Sequence, residues 1–245
     1  LGCKVDKILV EADRACGVRL SDGTTYNADY IISAADGHAT LFGMLGGQYL
    51  TPRLREAYQE WEVYKPFVQV SFGVKEVVPS KAVSTTYFKK HLTVGGFAVD
   101  HGYSIMNQSK NDPTLAPEGK TCLVLRFDTA WENWESIKPE DYPAVKERIR
   151  ADAMALMETH YPGIGEKTEV TDVATPLTSV KFTGVWKGAY EGFMPTGNMI
   201  RKTLDSTIPG LKSFYMVGQW VFPGGGLPPA AQSGKWAVQE ICREK

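Results

Sequence analysis

The last quarter of the chain carries the residues best suited to binding a ligand. Three consecutive glycines, Gly224, Gly225 and Gly226, follow a short apolar run and precede Pro228 and Pro229. Glycine has no Cβ, so a flat ligand can approach its backbone closely. Proline suits the first turn of a helix, and a helix N-terminus favours electron-rich or anionic groups. The pattern predicts a strand, a ligand-binding turn and a helix, although a tight connection that binds nothing has the same signature.

The other reactive side chains form no catalytic or metal-binding pattern. The four cysteines and four histidines are scattered, without C-x-x-C or H-E-x-x-H spacing. This spacing argues against a metal site and a disulfide framework, and it favours a reducing compartment. No nucleophile–base arrangement or carboxylate pair is supported by spacing either.

The composition is that of an ordinary globular protein. With 245 residues, 43% hydrophobic and 22% charged, the chain is long enough for one large domain or two small ones. The formal net charge is -1 and no run of Lys or Arg occurs, so a nucleic-acid partner is not expected. No apolar run approaches the roughly 18 residues of a membrane span, and no signal-peptide pattern is found. The free cysteines predict a cytoplasmic location, and no targeting segment in the sequence contradicts it.

Both ends of the chain contain strand-like segments. Short strands are predicted at residues 5–11, 17–20 and 24–27, with a turn at residues 21–23. The near-continuous apolar run at residues 30–35 is typical of a parallel strand buried on both faces. Asp36 follows this run and is predicted to cap a helix that continues to Leu45. At the other end, residues 214–217 have the length and composition of a buried strand.

The middle of the chain predicts one sheet and one long helix. After a helix that Pro52 opens, strands are predicted at residues 67–74, 84–88, 103–108, 121–127 and 170–174. Residues 139–160 are the clearest helix, because apolar side chains recur there at helical spacing: Val145, Ile149, Ala153, Leu156 and Met157. Residues 178–199 lack periodicity and are interpreted as loop with short elements. We predict that this mixed or antiparallel sheet is inserted between two ends that favour a parallel α/β layer.

Four sequence blocks occur in an order that is typical of one enzyme family. The first comprises residues 5–11, 17–23 and 28–34. The second, at residues 109–120, resembles the motif S-x-x-D-P-s-l-A-P-x-G, and the third, at residues 175–192, resembles T-P … G-a-x-y-G. The fourth, at residues 218–234, is the most specific. Together they resemble FAD-dependent oxidoreductases of the phytoene desaturase and carotenoid isomerase type, over essentially the whole chain.

The resemblance implies an FAD cofactor and assigns residues to it. Val5 matches the position whose backbone meets the adenine, and Ala231 lies in the helix that points at the flavin. The positions whose backbone runs along the isoalloxazine ring and ribityl chain are matched by Gly218, Pro223, Gly224, Gly225, Gly226, Leu227 and Pro228. Pro229 stands where family members often have a small residue, which puts the local turn in question. Neither a metal ligand nor a catalytic residue is assigned.

The dinucleotide fingerprint of the family, G-x-G-x-x-G, does not occur in the sequence. We therefore expect this chain to be the carboxy-terminal part of a longer protein, with an incomplete FAD site and no activity of its own. The expected fold is α+β or α/β. A mixed or antiparallel substrate-binding domain with helices (residues 51–212) would be flanked by remnants of a Rossmann-like FAD-binding domain (residues 1–50 and 213–245).

The family acts on long polyenes, so the resemblance implies a hydrophobic isoprenoid lipid such as a carotenoid, and desaturase, saturase or isomerase activity. Lys181 and Tyr190 are polar groups expected near the reaction centre. Candidate residues for the lining of an apolar channel are Phe67, Phe72, Phe88, Phe97, Phe127, Phe182, Trp186, Tyr190 and Phe193. Each of these aromatic residues is also a candidate for ordinary core packing.

Two alternative functions remain open at this point. One is a flavin amine or porphyrinogen oxidase, against which the second block argues; the other is a substrate-binding module without catalysis. Because polyenes dissolve in bilayers, peripheral membrane contact through Trp131, Trp134 and Ile137 is a further hypothesis. The alternative is that these side chains pack beneath the long helix. The sequence does not indicate an oligomeric state.

Overall fold

The structure is a computed structural model that describes residues 2–89, 91–99, 101–196 and 203–243. Contacts divide the chain into two compact units. The discontinuous unit comprises Leu1–Tyr64 and Gly184–Lys245, and the inserted unit comprises Lys65–Thr183. The predicted domain boundaries at residues 50 and 212, and the function assigned to each domain, stay predictions.

In its described residues, the discontinuous unit contains two sheets and two α-helices. Its elements are β1 (Val5–Glu11), β2 (Arg14–Leu20), β3 (Thr25–Asn27), β4 (Ile31–Ser33), the π-helix Ala39–Met44, α1 (Pro52–Glu60), β12 (Phe214–Met216) and α5 (Leu227–Arg243). Strands β1, β2 and β3 form an antiparallel sheet in that order, whereas β4 and β12 pair in parallel. The parallel pairing confirms one part of the interpretation of the apolar run at residues 30–35. The expected burial on both faces was wrong, because Ile32 is 43% exposed, and β4 is shorter than that run.

Local signals explain where the helices of this unit begin. Thr51 caps α1, because its Oγ1 accepts the N–H of Leu54 at 3.2 Å. Asp36 caps the helical segment that follows β4 and precedes α1, as predicted, since its Oδ1 accepts the N–H of Ala39 at 2.8 Å. That segment is largely a π-helix and not the expected α-helix. Helices of this type are uncommon and occur frequently at functional sites.

The inserted unit is an antiparallel sheet covered by a long helix. Its elements are β5 (Phe67–Val74), β6 (Ser84–Tyr87), β7 (Thr93–Val94), β8 (Phe97–Ala98), β9 (Tyr103–Asn107), β10 (Thr121–Asp128), α2 (Tyr142–His160), α3 (Ile164–Lys167), β11 (Thr168–Ala174) and α4 (Pro176–Thr183). The five-stranded sheet has the order β11-β5-β10-β9-β6, and every neighbouring pair is antiparallel. The predicted antiparallel sheet with one long helix is therefore confirmed.

The predicted apolar stripe of α2 forms the core of the inserted unit. Ile149 and Met157 are completely buried and belong to the same cluster as Phe72 and Leu125 of the sheet. Three short features were not predicted: the β7–β8 hairpin, α3, and α4, which overlaps the segment interpreted as loop with short elements. All are short and lack a clear hydrophobic period, which is the signal that sequence reasoning uses.

The three side chains proposed for membrane contact pack against the core of the inserted unit. Trp134 is completely buried, and its indole N–H donates to the Thr129 hydroxyl at 3.1 Å. Trp131 and Ile137 are partly buried against the same core cluster as the long helix. The alternative, packing beneath α2, therefore describes these side chains better.

Within the part of the chain that the structure describes, no helix combines the length and apolar character needed to cross a bilayer.

Candidate ligand-binding turn

The predicted strand, turn and helix are all present in the discontinuous unit. Strand β12 leads to Gly218, whose φ is 95°. Further along, Gly224, Gly225 and Gly226 have φ angles of 107°, 57° and 81°, and α5 begins at Leu227. Positive φ angles are strained for residues with a Cβ, so three in succession explain the glycine run.

The glycines of this turn differ in what lies beside them. A Cβ built on Gly218 or Gly224 meets no heavy atom within 4 Å. A Cβ on Gly225 would lie 2.3 Å from the Cβ and 2.7 Å from the carbonyl oxygen of Glu191. Gly218 and Gly224 thus leave their backbone open to a flat ligand, whereas Gly225 is required for close packing.

The first turns of α5 fix the beginning of this loop. The N–H of Gly218 donates to the hydroxyl of Ser233 at 2.7 Å, and that hydroxyl donates to the carbonyl oxygen of Ala230 at 2.7 Å. Ser233 is buried, so a replacement without a hydroxyl leaves the Gly218 N–H without this acceptor. The sequence motif included Ser233 but did not indicate this role.

A tyrosine that sequence reasoning missed contacts the glycine turn. The hydroxyl of Tyr64 donates to the carbonyl oxygen of Gly224 at 3.3 Å, and its ring lies 5.8 Å from that of Tyr190. Burial, and secondarily the negative charge of Glu191, raise the pKa of Tyr64. The hydroxyl can donate at neutral pH, as it could with the ordinary tyrosine pKa of 10.0. Because Tyr64 precedes Gly224 by 160 residues, no local pattern could have found this contact.

A second cluster lies after β4, where the sequence indicated only the cap. The Oδ2 of Asp36 accepts the N–H of Trp186 at 2.9 Å. The His38 ring stacks between Phe42 and Trp186, with centroid distances of 4.5 Å and 4.9 Å. Burial raises the pKa of Asp36 despite its backbone hydrogen bonds, and burial lowers the pKa of His38 against the opposing charge of Asp36. This cluster ties the segment after β4 to the loop that leads to Glu191.

The remaining predicted cofactor residues lie at the surface or in another sheet. Leu227 is 86% exposed, Pro228 and Ala231 are exposed, and Pro223 is half-buried. Val5 is half-buried at the start of β1, in the antiparallel sheet. Residues 6–11 of β1, but not Val5, line a cavity of about 610 Å³ together with Arg19, Gly43, Met44, Leu45, Gly46 and Gln48. Whether these residues bind FAD stays a prediction.

The candidate lining residues divide into core and surface. Phe72, Phe127 and Phe193 are essentially fully buried, and Phe97 stacks on Trp134 with a centroid distance of 4.4 Å. Phe67 and Trp186 are half-buried. Phe88 and Phe182 are 82% and 77% exposed, so they line no enclosed channel in this structure. The Lys181 ammonium lies 5.5 Å from the Phe182 ring centroid.

The arrangement fits a flat conjugated ring better than a metal ion. The space beside the backbone of Gly218 and Gly224 is empty, and the side chain of any other residue would occupy it. The exposed start of α5 offers an apolar surface and the positive end of the helix dipole. Among the described residues, no group of three or more His, Cys, Asp or Glu side chains could hold a metal ion.

Comparisons with known proteins agree with such a ligand. The profile of the family described as flavin containing amine oxidoreductase matches residues 1–242. Prolycopene isomerase of Arabidopsis thaliana chloroplasts is 29% identical over 98% of this chain and 41% of its own length. The neurosporene-forming phytoene desaturase of Cereibacter sphaeroides is 28% identical over 93% of this chain and 46% of its own length.

Solved structures share the fold at lower sequence identity. Reduced UDP-galactopyranose mutase superposes with a TM-score of 0.62 at 17% identity, over 98% of this chain and 47% of that protein. This likeness concerns the fold alone. The chain spans less than half the length of the curated relatives described above, 41% and 46%.

Proposed function

Because the chain belongs to the flavin containing amine oxidoreductase family, we propose that it is part of an FAD-dependent oxidoreductase that acts on a polyene or isoprenoid lipid such as a carotenoid. The observation that carries this proposal is the glycine turn, with open backbone at Gly218 and Gly224. The names of the relatives, an isomerase of prolycopene and a desaturase of phytoene, support the substrate class.

The residues of this chain would bind and orient the cofactor. FAD, when bound, supplies hydride or electron transfer. Gly218 and the segment 223–228 would hold the isoalloxazine and ribityl portions, with Ala231 in the helix behind them and the backbone of Val5 against the adenine. The N-terminal end of α5 would stabilise an electron-rich edge of the ring. No residue is proposed as an acid or base.

We further propose that β4, β12 and α5 belong to a larger, Rossmann-like sheet, which residues outside this chain would complete. Parallel sheets are normally larger and covered on both faces. Here the parallel sheet has two strands, and Ile32, Trp236 and Val238 are 43%, 46% and 52% exposed. A binding site that lacks such a portion would leave the chain inactive by itself.

Flavin absorbance of two purified proteins tests these proposals. The chain as given should be colourless, and the longer protein proposed to carry it should be yellow, with the absorbance of bound flavin. A longer protein without flavin would contradict the assigned cofactor. A chain that binds stoichiometric flavin would contradict the incomplete site.

Substrate turnover separates the remaining alternatives. The longer protein should convert a polyene such as phytoene or prolycopene and should not oxidise amines or porphyrinogens. Oxidation of an amine would favour the amine oxidase alternative. Tight polyene binding without turnover, in a protein loaded with flavin, would favour a binding module.

The cytoplasmic location stays a prediction, which fractionation of cells expressing the longer protein tests.

A further inference from the structure

Two chain segments form a frame beside the glycine turn. The N–H of Tyr64 donates to the carbonyl oxygen of Gly192, and the N–H of Met194 donates to that of Glu62, both at 2.9 Å. An antiparallel bridge lies between these two hydrogen bonds, and its member Phe193 is completely buried. Backbone hydrogen bonds and a core aromatic residue thus hold both segments in place.

Both segments contact the turn directly. The Tyr64 hydroxyl donates to the carbonyl oxygen of Gly224, and Glu191 occupies the space in which a Cβ of Gly225 would lie. In the same way, a Cβ on Gly192 would lie 2.7 Å from the carbonyl oxygen of Gln219. The turn is therefore seated closely on this frame, and Tyr64 supplies the side-chain hydrogen bond.

The position of one carbonyl determines the direction of the next N–H. The carbonyl of Gly224 and the N–H of Gly225 belong to a single planar trans peptide, in which the two groups point in opposite directions. Glycine on both sides would otherwise let this peptide rotate with little steric resistance. With the carbonyl held by Tyr64, the N–H of Gly225 is directed away from Tyr64.

We propose that Tyr64 is a positioning residue that fixes the orientation of the Gly224–Gly225 peptide and thereby the shape of the turn proposed to hold the flavin. The part that concerns flavin rests on the proposed function. The part that concerns the turn does not, because it follows from the hydrogen bond and the packing of this chain alone.

Amide hydrogen exchange tests the orientation without any cofactor. The variant Tyr64→Phe keeps the ring beside Tyr190 and removes only the hydroxyl. In this chain, a peptide covering residues 222–227 should exchange about fivefold faster in Tyr64→Phe than in the wild type, because the turn opens more readily once the hydrogen bond to the Gly224 carbonyl is lost. The matched control is Tyr49→Phe, which removes a hydroxyl that donates to Asp13 at 3.0 Å in the same unit. Unchanged exchange in Tyr64→Phe, or equal acceleration in Tyr49→Phe, overturns the proposal.

Flavin titration of the longer protein tests the second part. For Tyr64→Phe, we expect the FAD dissociation constant to rise about fivefold and the visible absorption band of bound flavin to shift. Tyr49→Phe should match the wild type in both. A purely structural role of Tyr64 would lower the melting temperature and leave the affinity and spectrum unchanged, which overturns the positioning role. A wild type that binds no FAD refutes the proposed function and the part of the proposal that concerns flavin, while hydrogen exchange still decides the orientation of the turn.

Discussion

Gly225 packs directly on Glu191, with no room for even a methyl group between them. The contact involves the carbonyl oxygen of Glu191 as well as its side chain, so a rotamer change cannot remove it. Gly224, one residue earlier, has open space on the corresponding side. Two adjacent glycines therefore meet different requirements: one provides a close internal contact and the other an open backbone.

Replacing Gly225 by alanine should destabilise the discontinuous unit. We expect Gly225→Ala to lower the free energy of unfolding by about 3 kcal/mol, because the added methyl group overlaps Glu191 and the positive φ is strained. The double variant Gly225→Ala/Glu191→Gly should recover about 1 kcal/mol relative to additivity, measured by urea denaturation in a double-mutant cycle. Gly234→Ala is the control, since a Cβ there meets nothing within 4 Å inside α5, and helix propensity favours alanine. Additive effects at residues 225 and 191 would contradict the packing.

Removing the hydroxyl of Ser233 should loosen the connection between α5 and the turn. Ser233→Ala leaves the N–H of Gly218 without its acceptor, which should cost about 1–2 kcal/mol of stability. The control Ser21→Ala removes an exposed hydroxyl bonded to the Lys4 carbonyl and should change stability by less than about 0.5 kcal/mol. Equal urea midpoints for Ser233→Ala and the wild type would count against the role assigned to this hydroxyl.

The stacked His38 should make the protein sensitive to mild acid. Burial lowers the pKa of His38 from its ordinary value of 6.5, so below that pH the unfolded chain binds more protons than the folded one. The contribution of His38 to stability is complete above pH 6.5 and is lost as the pH falls through the folded pKa. His38→Gln should therefore lose less stability than the wild type between about pH 7.5 and 5.5, measured by thermal melts.

Other titratable groups also make the stability of the protein depend on pH, so the effect of His38 is the difference between the wild type and His38→Gln. His160 also has a lowered pKa and contributes with the same sign, so a residual slope should persist in His38→Gln. Asp36 has a raised pKa, and its contribution is instead lost as the pH rises above the ordinary value of 3.8. The positive charge of Lys187 also lowers the pKa of His38, and the ring of Tyr58 lies edge-on to the His38 ring. Identical slopes in the wild type and His38→Gln would refute the assignment.

Because Trp134 is completely buried, its replacement should lower the free energy of unfolding by a large amount. Trp134→Ala should cost about 3–5 kcal/mol, because it removes a completely buried indole and its hydrogen bond to Thr129. Trp236→Ala, at a 46% exposed site, should change stability by less than about 1 kcal/mol.

Co-sedimentation of Trp131→Ala with liposomes should match that of the wild type, because the Trp131 side chain packs against the core of the inserted unit. Reduced sedimentation would restore the membrane hypothesis for this segment.

Much of the fold could be predicted because its signals are local. The alternation in residues 67–74 and the helical stripe from Val145 to Met157 depend only on neighbours in sequence. The same holds for the Asp36 and Pro52 helix starts. The π-helix could not be predicted in this way, because the Asp36 cap indicates where a helix begins and not the spacing of its hydrogen bonds. The β7–β8 hairpin, α3 and α4 were missed because they are too short to establish a period.

The family resemblance is confirmed by the match over residues 1–242, and it depended on motifs that a sequence displays directly. It correctly indicated a flavin, while the identity of the cofactor as FAD, the substrate and the binding residues remain proposals. The glycine-rich motif was visible, but the difference between Gly224 and Gly225 was not. That difference depends on which side chain the fold places beside each glycine.

The sequence by itself determined most of the longer strands, the long helix, the turn and the family, because hydrophobic period, glycine and proline act within a few residues. Only the tertiary structure decided that Tyr64 reaches Gly224, that Glu191 fills the space beside Gly225, and that Trp134 is buried. These contacts join residues far apart in the chain, and they exist only once two segments pair and a core closes around them. Their energies come from burial and hydrogen-bond geometry, which no local pattern of residues specifies.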